Sequence, residues 1–402
     1  MALTAAETVV PETGPQLAEA LHTAARDRRA TVISGGGTKL EWGRPLSHVD
    51  LLISTAKLTH ITHRHADLTA TVAAGATLVA VNQELARHGQ WLPIDSAFEQ
   101  ATLGGIVASN DAGPLRHRFG TPRDRVLGAT LALTDGRLVK AGGTVVKNVA
   151  GYDLARLVSG SFGTLAAIDT VTFKVEPLPA ASGTVRAQAG SRQALCERAT
   201  ALMDTALELT AFDVRASFEG RATYELLVRI ASSPISTRTQ LAGAQAILGA
   251  EATVAYDAEE AALWRQQVDV PWMGRATGTA AGAAAGFGAV LRLSWRPADL
   301  PRVLALVEDI QRQIGVPVVL TGRVATGAGL VRVDGPAPAQ ATALTQLRSS
   351  SVVGHVVVLR ADDAVKAEID VWGPLGDAAR VMAAIKQKLD PAGILNAGRG
   401  PI

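Results

Sequence analysis

The stretch Thr31-Val32-Ile33-Ser34-Gly35-Gly36-Gly37-Thr38-Lys39 runs a short apolar strand straight into three glycines flanked by hydroxyl side chains. Consecutive glycines let backbone amides converge on an anion, because no Cβ blocks the approach and positive φ costs little. Ser34 and Thr38 add hydroxyl donors and Lys39 adds a charge, so a pyrophosphate is the guest this chemistry suits. The spacing is neither common phosphate fingerprint. Leu40 stands where G-x-G-x-x-G needs its third glycine, and no glycine directly precedes Lys39 as a P-loop requires. Taken alone, a glycine-rich turn ahead of an exposed loop explains the segment equally well.

Two further blocks decide between those readings. The first is Pro93-Ile94-Asp95 followed by Ala101-Thr102-Leu103-Gly104-Gly105, continuing to Ser109 and Gly113. Thr102 occupies a helix N-cap position, and a helix that opens on Gly104-Gly105 offers N–H groups without side-chain bulk. Close helix–strand packing is the competing explanation. The second block is Lys147-Asn148-Val149-Ala150-Gly151-Tyr152-Asp153-Leu154, then Gly160-Ser161-Phe162-Gly163-Thr164-Leu165. Asp153 caps a short helix over 154–158 that Gly160 ends, and Gly163 allows close backbone approach before a buried strand.

In this order the blocks resemble the FAD-binding (PCMH-type) domain of vanillyl-alcohol oxidase-like flavoproteins, and within them the FAD-binding subunit of bacterial glycolate oxidase. The likeness covers residues 31–178 and the tail Leu389-Asp390-Pro391-Ala392-Gly393-Ile394-Leu395-Asn396. It implies that Ser34, Gly35, Gly36, Gly37, Thr38 and Lys39 hold the FAD pyrophosphate. Pro93, Thr102, Leu103, Gly104 and Gly105 line the dinucleotide and flavin, and Ser109 and Gly113 complete that loop. Gly163 and Ile168 meet the adenine end, and Asn396 reaches the flavin from the far side. The implied fold is α+β: a two-lobed FAD domain over 1–178 (lobes about 1–55 and 56–178), an antiparallel-sheet cap over 179–380, and a C-terminal helix and tail over 381–402 returning to the FAD domain.

Departures from the family pattern shape the functional expectation. Relatives with covalent flavin carry a histidine in or near the first glycine loop; none stands there here, so noncovalent FAD is expected. Phe162 replaces a family glutamate, and Ala397 a proline. Self-sufficient D-2-hydroxy acid dehydrogenases of the family carry a His-x-Gly-Asp-Gly-Asn-x-His motif, whereas the matching stretch here is Thr321-Gly322-Arg323-Val324-Ala325-Thr326-Gly327. A base must lie within hydrogen-bond reach of the proton it takes. Only Tyr152 and Arg323 offer themselves as catalytic candidates, the latter as a carboxylate holder that could equally be a pairing residue. The expectation is a subunit of a glycolate (2-hydroxy acid) oxidase, working with a catalytic flavin subunit and an iron–sulfur subunit. A stand-alone D-2-hydroxy acid dehydrogenase is the alternative, and a nucleotide-binding protein without redox function a third.

The rest of the chain fits an ordinary globular protein. Of 402 residues, 48% are hydrophobic and 19% charged, with a formal net charge of +2, so no basic surface points to nucleic acid. The single cysteine, Cys196, excludes an internal disulfide or a cysteine-ligated cluster and favours the cytoplasm, at the inner face of the membrane if partners bring the chain there. The uncharged stretch 276–291 is too short and too rich in alanine and glycine to span a bilayer. Polar residues 60–67, with His60, His63 and His65, read as an exposed turn rather than a metal site. Strands are expected at 31–33, 50–53, 69–73 and 165–175, with a hairpin around Asp135-Gly136. Pro177-Leu178-Pro179 marks the domain boundary.

Overall fold

The computed structural model describes residues 5–46, 48–144, 151–273 and 288–402. Lys147–Ala150 of the third motif and residues 276–287 of the uncharged stretch lie outside them. The chain forms two compact units: Met1–Gly113, Phe119–Leu178 and Leu375–Ile402 make the first, Pro114–Arg118 and Pro179–Pro374 the second.

In the first unit, strands β1 (Glu7–Val9), β2 (Thr31–Ser34) and β3 (Leu51–Ser54) form a parallel sheet in the order β1-β3-β2. Helix Gly14–Arg26 starts where the Thr13 side chain accepts from Gln16 N and Pro15 fills the first turn. Its Leu17, Leu21 and Ala24 pack with Leu51, Ile53, Ile394 and Leu395 in one core. The last two belong to the tail, which returns to the glycine loop. Leu395 bridges Thr31 in parallel, Thr31 N donates to Ile394 O at 2.9 Å, and Asn396 N donates to Thr31 O at 2.8 Å. Buried Asp390 holds the turn, accepting from Lys386 Nζ (2.6 Å), Ile394 N (3.2 Å) and Leu395 N (2.9 Å).

The second sheet of this unit contains β4 (Ile61–Arg64), β5 (Thr69–Ala73), β7 (Val126–Ala132), β8 (Leu138–Gly142) and β9 (Ala167–Lys174), antiparallel in the order β4-β5-β9-β7-β8. A short pair, β6 (Gln90–Trp91) with β10 (Glu176–Pro177), lies beside it in sequence. Residues 60–67 therefore correct the expected turn: β4 is an edge strand, followed by a single 3₁₀ turn, His65–Asp67. Thr62 and Arg64 are exposed while Ile61 and His63 are half-buried, a pattern edge strands adopt because polar residues discourage further pairing.

The second unit is built on one antiparallel sheet of eight strands: β11 (Ala181–Ala189), β12 (Ala211–Glu219), β13 (Arg221–Ser232), β14 (Thr253–Ala255), β15 (Ala289–Trp295), β16 (Val318–Arg323), β17 (Ala328–Val333) and β18 (Val353–Arg360). Their order is β14-β11-β13-β12-β16-β17-β15-β18. Phe212, Val214, Ala216 and Phe218 of β12 alternate onto an apolar face and are fully buried. Helices Arg192–Met203, Pro234–Leu248, Leu300–Ile314 and Ala337–Ser349 pack with this sheet. On its other face, helix Asp257–Asp269 reaches the sheet through Gln267, whose amide donates to Asp213 Oδ2 at 3.0 Å.

Candidate functional site

A cleft open to solvent lies in the first unit, and its wall begins at Ile33 and the glycine loop that follows. Ser34, Gly35, Gly36, Gly37, Thr38, Lys39, Thr102, Gly104, Gly105, Ser109, Gly163, Ile168 and Asn396 all line it. Residues separated by most of the chain thus share one wall.

The glycines divide into distinct jobs. A Cβ on Gly35 would stand 2.0 Å from Thr102 Oγ1, and one on Gly36 only 1.8 Å from the Gln100 carbonyl oxygen. These positions are glycine because the loop packs directly on the Thr102 side chain and the Gln100 backbone. Gly37 has φ +70°, where side chains are disfavoured. Among the described residues, the N–H groups of Gly35, Gly36, Gly37 and Thr38 donate to no protein acceptor. Four bare donors in sequence form a nest suited to an anion.

The second block behaves differently from its sequence expectation. The N–H groups of Leu103 and Gly104 are already taken by Ala76 O (2.8 Å) and Ala74 O (2.9 Å), and Gly105 N meets its own N-cap, Thr102 Oγ1, at 3.4 Å. The helix Leu103–Ser109 therefore contributes a smooth wall rather than donors. Gly105 leaves open space, since an added Cβ meets only Thr102 Oγ1, at 3.5 Å. Ser109 caps back onto Gly105 O at 2.7 Å. Leu103 is fully buried in the core beneath, Pro93 is buried away from the cleft wall, and Gly113 packs on Asp95, where a Cβ would be 2.5 Å away.

Lys39 is engaged within the protein. Its Nζ lies 3.1 Å from Asp111 Oδ2, an ion pair without the alignment of a hydrogen bond, and sits over the rings of Trp42 (5.6 Å) and Phe98 (5.1 Å). Its charge is thus largely balanced before any ligand arrives.

Also in the lining, Phe162, at φ +56°, turns its carbonyl to accept from Asn396 Nδ2 at 2.6 Å. That bond fixes the amide and leaves Asn396 Oδ1 buried without a partner. An acceptor orphaned in a cleft wall costs free energy that a ligand donor would recover. Arg399 also lines the cleft, 5% exposed, with Nη2 donating to Leu40 O, and burial pushes its guanidinium down to about 10. Sequence reasoning missed it; its only signal was a lone cation among tail glycines.

The two catalytic candidates are elsewhere. Tyr152 is 91% exposed and does not line the cleft. Arg323 lies in the second unit at the end of β16, 6% exposed and 3.7 Å from Asp213. His63, His65 and His88 gather on the surface, with His65 and His88 stacked at 4.6 Å. Parallel rings do not aim lone pairs at one point, and among the described residues no His, Cys, Asp or Glu group suits a metal ion.

Bare amides for a pyrophosphate, a buried acceptor and a smooth glycine wall fit a dinucleotide. Residues 5–142 match the family of FAD binding domains. The first unit carries an FAD-binding domain. The chain is 36% identical over 183 residues to the glycolate oxidase subunit GlcE of Escherichia coli, covering 45% of this chain and 52% of that protein. It is 34% identical over 169 residues to a D-lactate dehydrogenase of Archaeoglobus fulgidus, covering 42% and 38%. Against both, the matched region spans about half of the relative or less. A D-2-hydroxyglutarate dehydrogenase of Xanthomonas citri pv. viticola aligns over 92% of this chain and 84% of its own length at 27% identity. Among solved structures, alkyldihydroxyacetonephosphate synthase superposes with a TM-score of 0.73 over 97% of this chain and 75% of that one; at 14% identity this shows the two-domain α+β fold.

Proposed function

We propose that the protein is the FAD-binding subunit of a 2-hydroxy acid oxidase of the glycolate type, acting with a catalytic flavin subunit and an iron–sulfur subunit. The observation that carries this reading is the cleft, whose lining brings together four unpaired loop amides and the buried, unpartnered Asn396 acceptor. In it, Gly35–Thr38 hold the pyrophosphate, Gly104-Gly105 lie flat against the dinucleotide, and Asn396 accepts from the cofactor. Bound FAD supplies the electron-accepting chemistry; the chain supplies position and electrostatics. No histidine or cysteine lines the cleft among the described residues, which supports noncovalent attachment.

The partner subunits follow from what the second unit offers. Its Arg323 is committed to Asp213, and its histidines in the described residues are His117 and His355, neither of them in the stretch 321–327. One cysteine cannot bind a cluster, so electrons leave through a partner. Among the described residues no helix is long and apolar enough to cross a membrane, and we place the protein in the cytoplasm, reaching the membrane only through its partners. The test is dye-linked oxidation of a 2-hydroxy acid panel by the FAD-loaded chain, alone and co-expressed with its partners. Acid or heat should release all the flavin, and turnover should require the partners. Equal turnover by the lone chain would reject the subunit reading in favour of a self-sufficient dehydrogenase.

A further inference from the structure

The glycine loop is held at both of its ends by one short helix. At its start, Gly35 packs so closely on Thr102, the N-cap of helix Leu103–Ser109, that a Cβ would fall 2.0 Å from Thr102 Oγ1. That helix ends at Asn110, with φ +47°, and Asp111 N donates back to Ile106 O at 3.1 Å, which fixes Asp111 just past the last turn. There Asp111 Oδ2 accepts from Ser96 Oγ at 2.9 Å and pairs with Lys39 Nζ at 3.1 Å, at the far end of the loop. The bare amides of residues 35–38 lie between these two anchors.

Lys39 is badly placed to be a ligand itself. Its side chain is 9% exposed, and its Nζ is buried against Asp111 and the rings of Trp42 and Phe98. To reach an anion in the cleft it would have to leave the carboxylate and both rings. Three consecutive glycines, in contrast, are the most mobile backbone a chain can have, and an anion must order them unless something else already does. We propose that Lys39 and Asp111 are positioning residues, a buried tether that preorganises the amides of residues 35–38 for the pyrophosphate, and that Lys39 does not itself bind phosphate. Segments 93–98 and 109–113 then act on the cofactor through this tether, Ser96 and Phe98 by holding its two ends, rather than by touching the ligand. The proposal rests on the pyrophosphate role given to the loop above.

Dissociation constants for FAD, from quenching of flavin fluorescence by the full apoprotein, test the tether at a temperature where melting curves show every variant folded. Lost global stability then leaves the constants untouched. Asp111→Leu should bind FAD about tenfold more weakly, although removing a negative charge near an anionic ligand favours binding by Coulomb's law alone. Lys39→Met should lose about as much, and Lys39→Met/Asp111→Leu no more than the weaker single variant, because either change cuts the same tether. Ser96→Ala, a milder change that keeps the test open if the others fail to fold, should weaken FAD about threefold. FAD bound by Asp111→Leu as tightly as by wild type, or more tightly, overturns the proposal, as do additive losses in the double variant or full affinity in Ser96→Ala. Wild-type chain that takes up no FAD overturns the function proposed above along with the tether, whereas wild type that binds FAD no better than Asp111→Leu overturns the tether alone.

Discussion

Gly36 and Gly105 both line the cleft, yet the structure predicts opposite consequences for replacing them with alanine. A methyl on Gly36 would stand 1.8 Å from the Gln100 carbonyl oxygen, and backbone cannot rotate away as a side chain can. The two loops must separate by more than an ångström, an overpacking cost of about 3 kcal/mol at the upper end of the usual range. For a unit of this size each kcal/mol shifts Tm by roughly 2–4 °C, so the cofactor-free protein should melt roughly 6–12 °C lower. At Gly105 the methyl makes an ordinary 3.5 Å contact with Thr102 Oγ1 in a helix. Alanine there should stabilise by roughly 0.5–1 kcal/mol through helix propensity, while its methyl roughens the cleft wall. Differential scanning fluorimetry of apo-protein, with FAD affinity from flavin fluorescence, separates the effects. Gly36→Ala should lose stability and FAD together; Gly105→Ala should keep stability and lose FAD. An undestabilised Gly36→Ala, or a Gly105→Ala that binds FAD like wild type, would refute the division of labour.

Arg399→Met should weaken FAD binding about tenfold or more, because a buried cation in the cleft wall is lost, and titration at two salt concentrations should show a smaller salt dependence than wild type. Asp390→Asn should cost about 3–5 kcal/mol in denaturant unfolding, because it strips Lys386 of its buried carboxylate and loosens the tail from Thr31. Burial pushes the Cys196 thiol up to about 11, so thiol reagents at pH 8 should modify it far more slowly in native than in urea-unfolded protein. Burial also lowers the imidazoles of His117 and His355 below 6.5, so the unfolded chain takes up protons first as pH falls. Their contribution is intact above 6.5 and is lost progressively below it, and a His117→Gln/His355→Gln double variant should show a flatter stability profile from pH 7 to 5.

The order of glycine blocks was readable in the chain because each block obeys local backbone chemistry. What each glycine does was not readable. Gly36 answers to the Gln100 carbonyl and Gly105 to an empty cleft, partners fixed only by tertiary contact. The free N–H groups expected at Gly104-Gly105 are absent because the Ala74 carbonyl takes Gly104 N and the Thr102 hydroxyl takes Gly105 N. The 60–67 segment concealed a strand, since an edge strand with one half-buried face carries too few apolar residues to alternate visibly. Strands β11, β12 and β17 and helices Asp257–Asp269 and Ala337–Ser349 likewise escaped notice. In β11 and β12, Arg186, Asp213 and Arg215 break the apolar pattern; Arg186 and Arg215 pair with Glu225, and Asp213 with Arg323. Arg399 gave no more than a lone cation between Gly398 and Gly400; its importance arises from where the tail is carried.

That tail has a temporal meaning as well as a spatial one. Arg399 and the Leu40 carbonyl it holds are separated by 359 residues, and the whole second unit is synthesised between them. At ordinary elongation rates the glycine loop waits roughly 20–70 s before the tail that completes the cleft lining exists. A nascent chain therefore cannot trap its cofactor as it emerges, and flavin loading becomes the last event of maturation, limited by availability of free FAD once translation of residue 399 is complete. A cell short of flavin would accumulate finished, open-clefted protein rather than stalled folding intermediates.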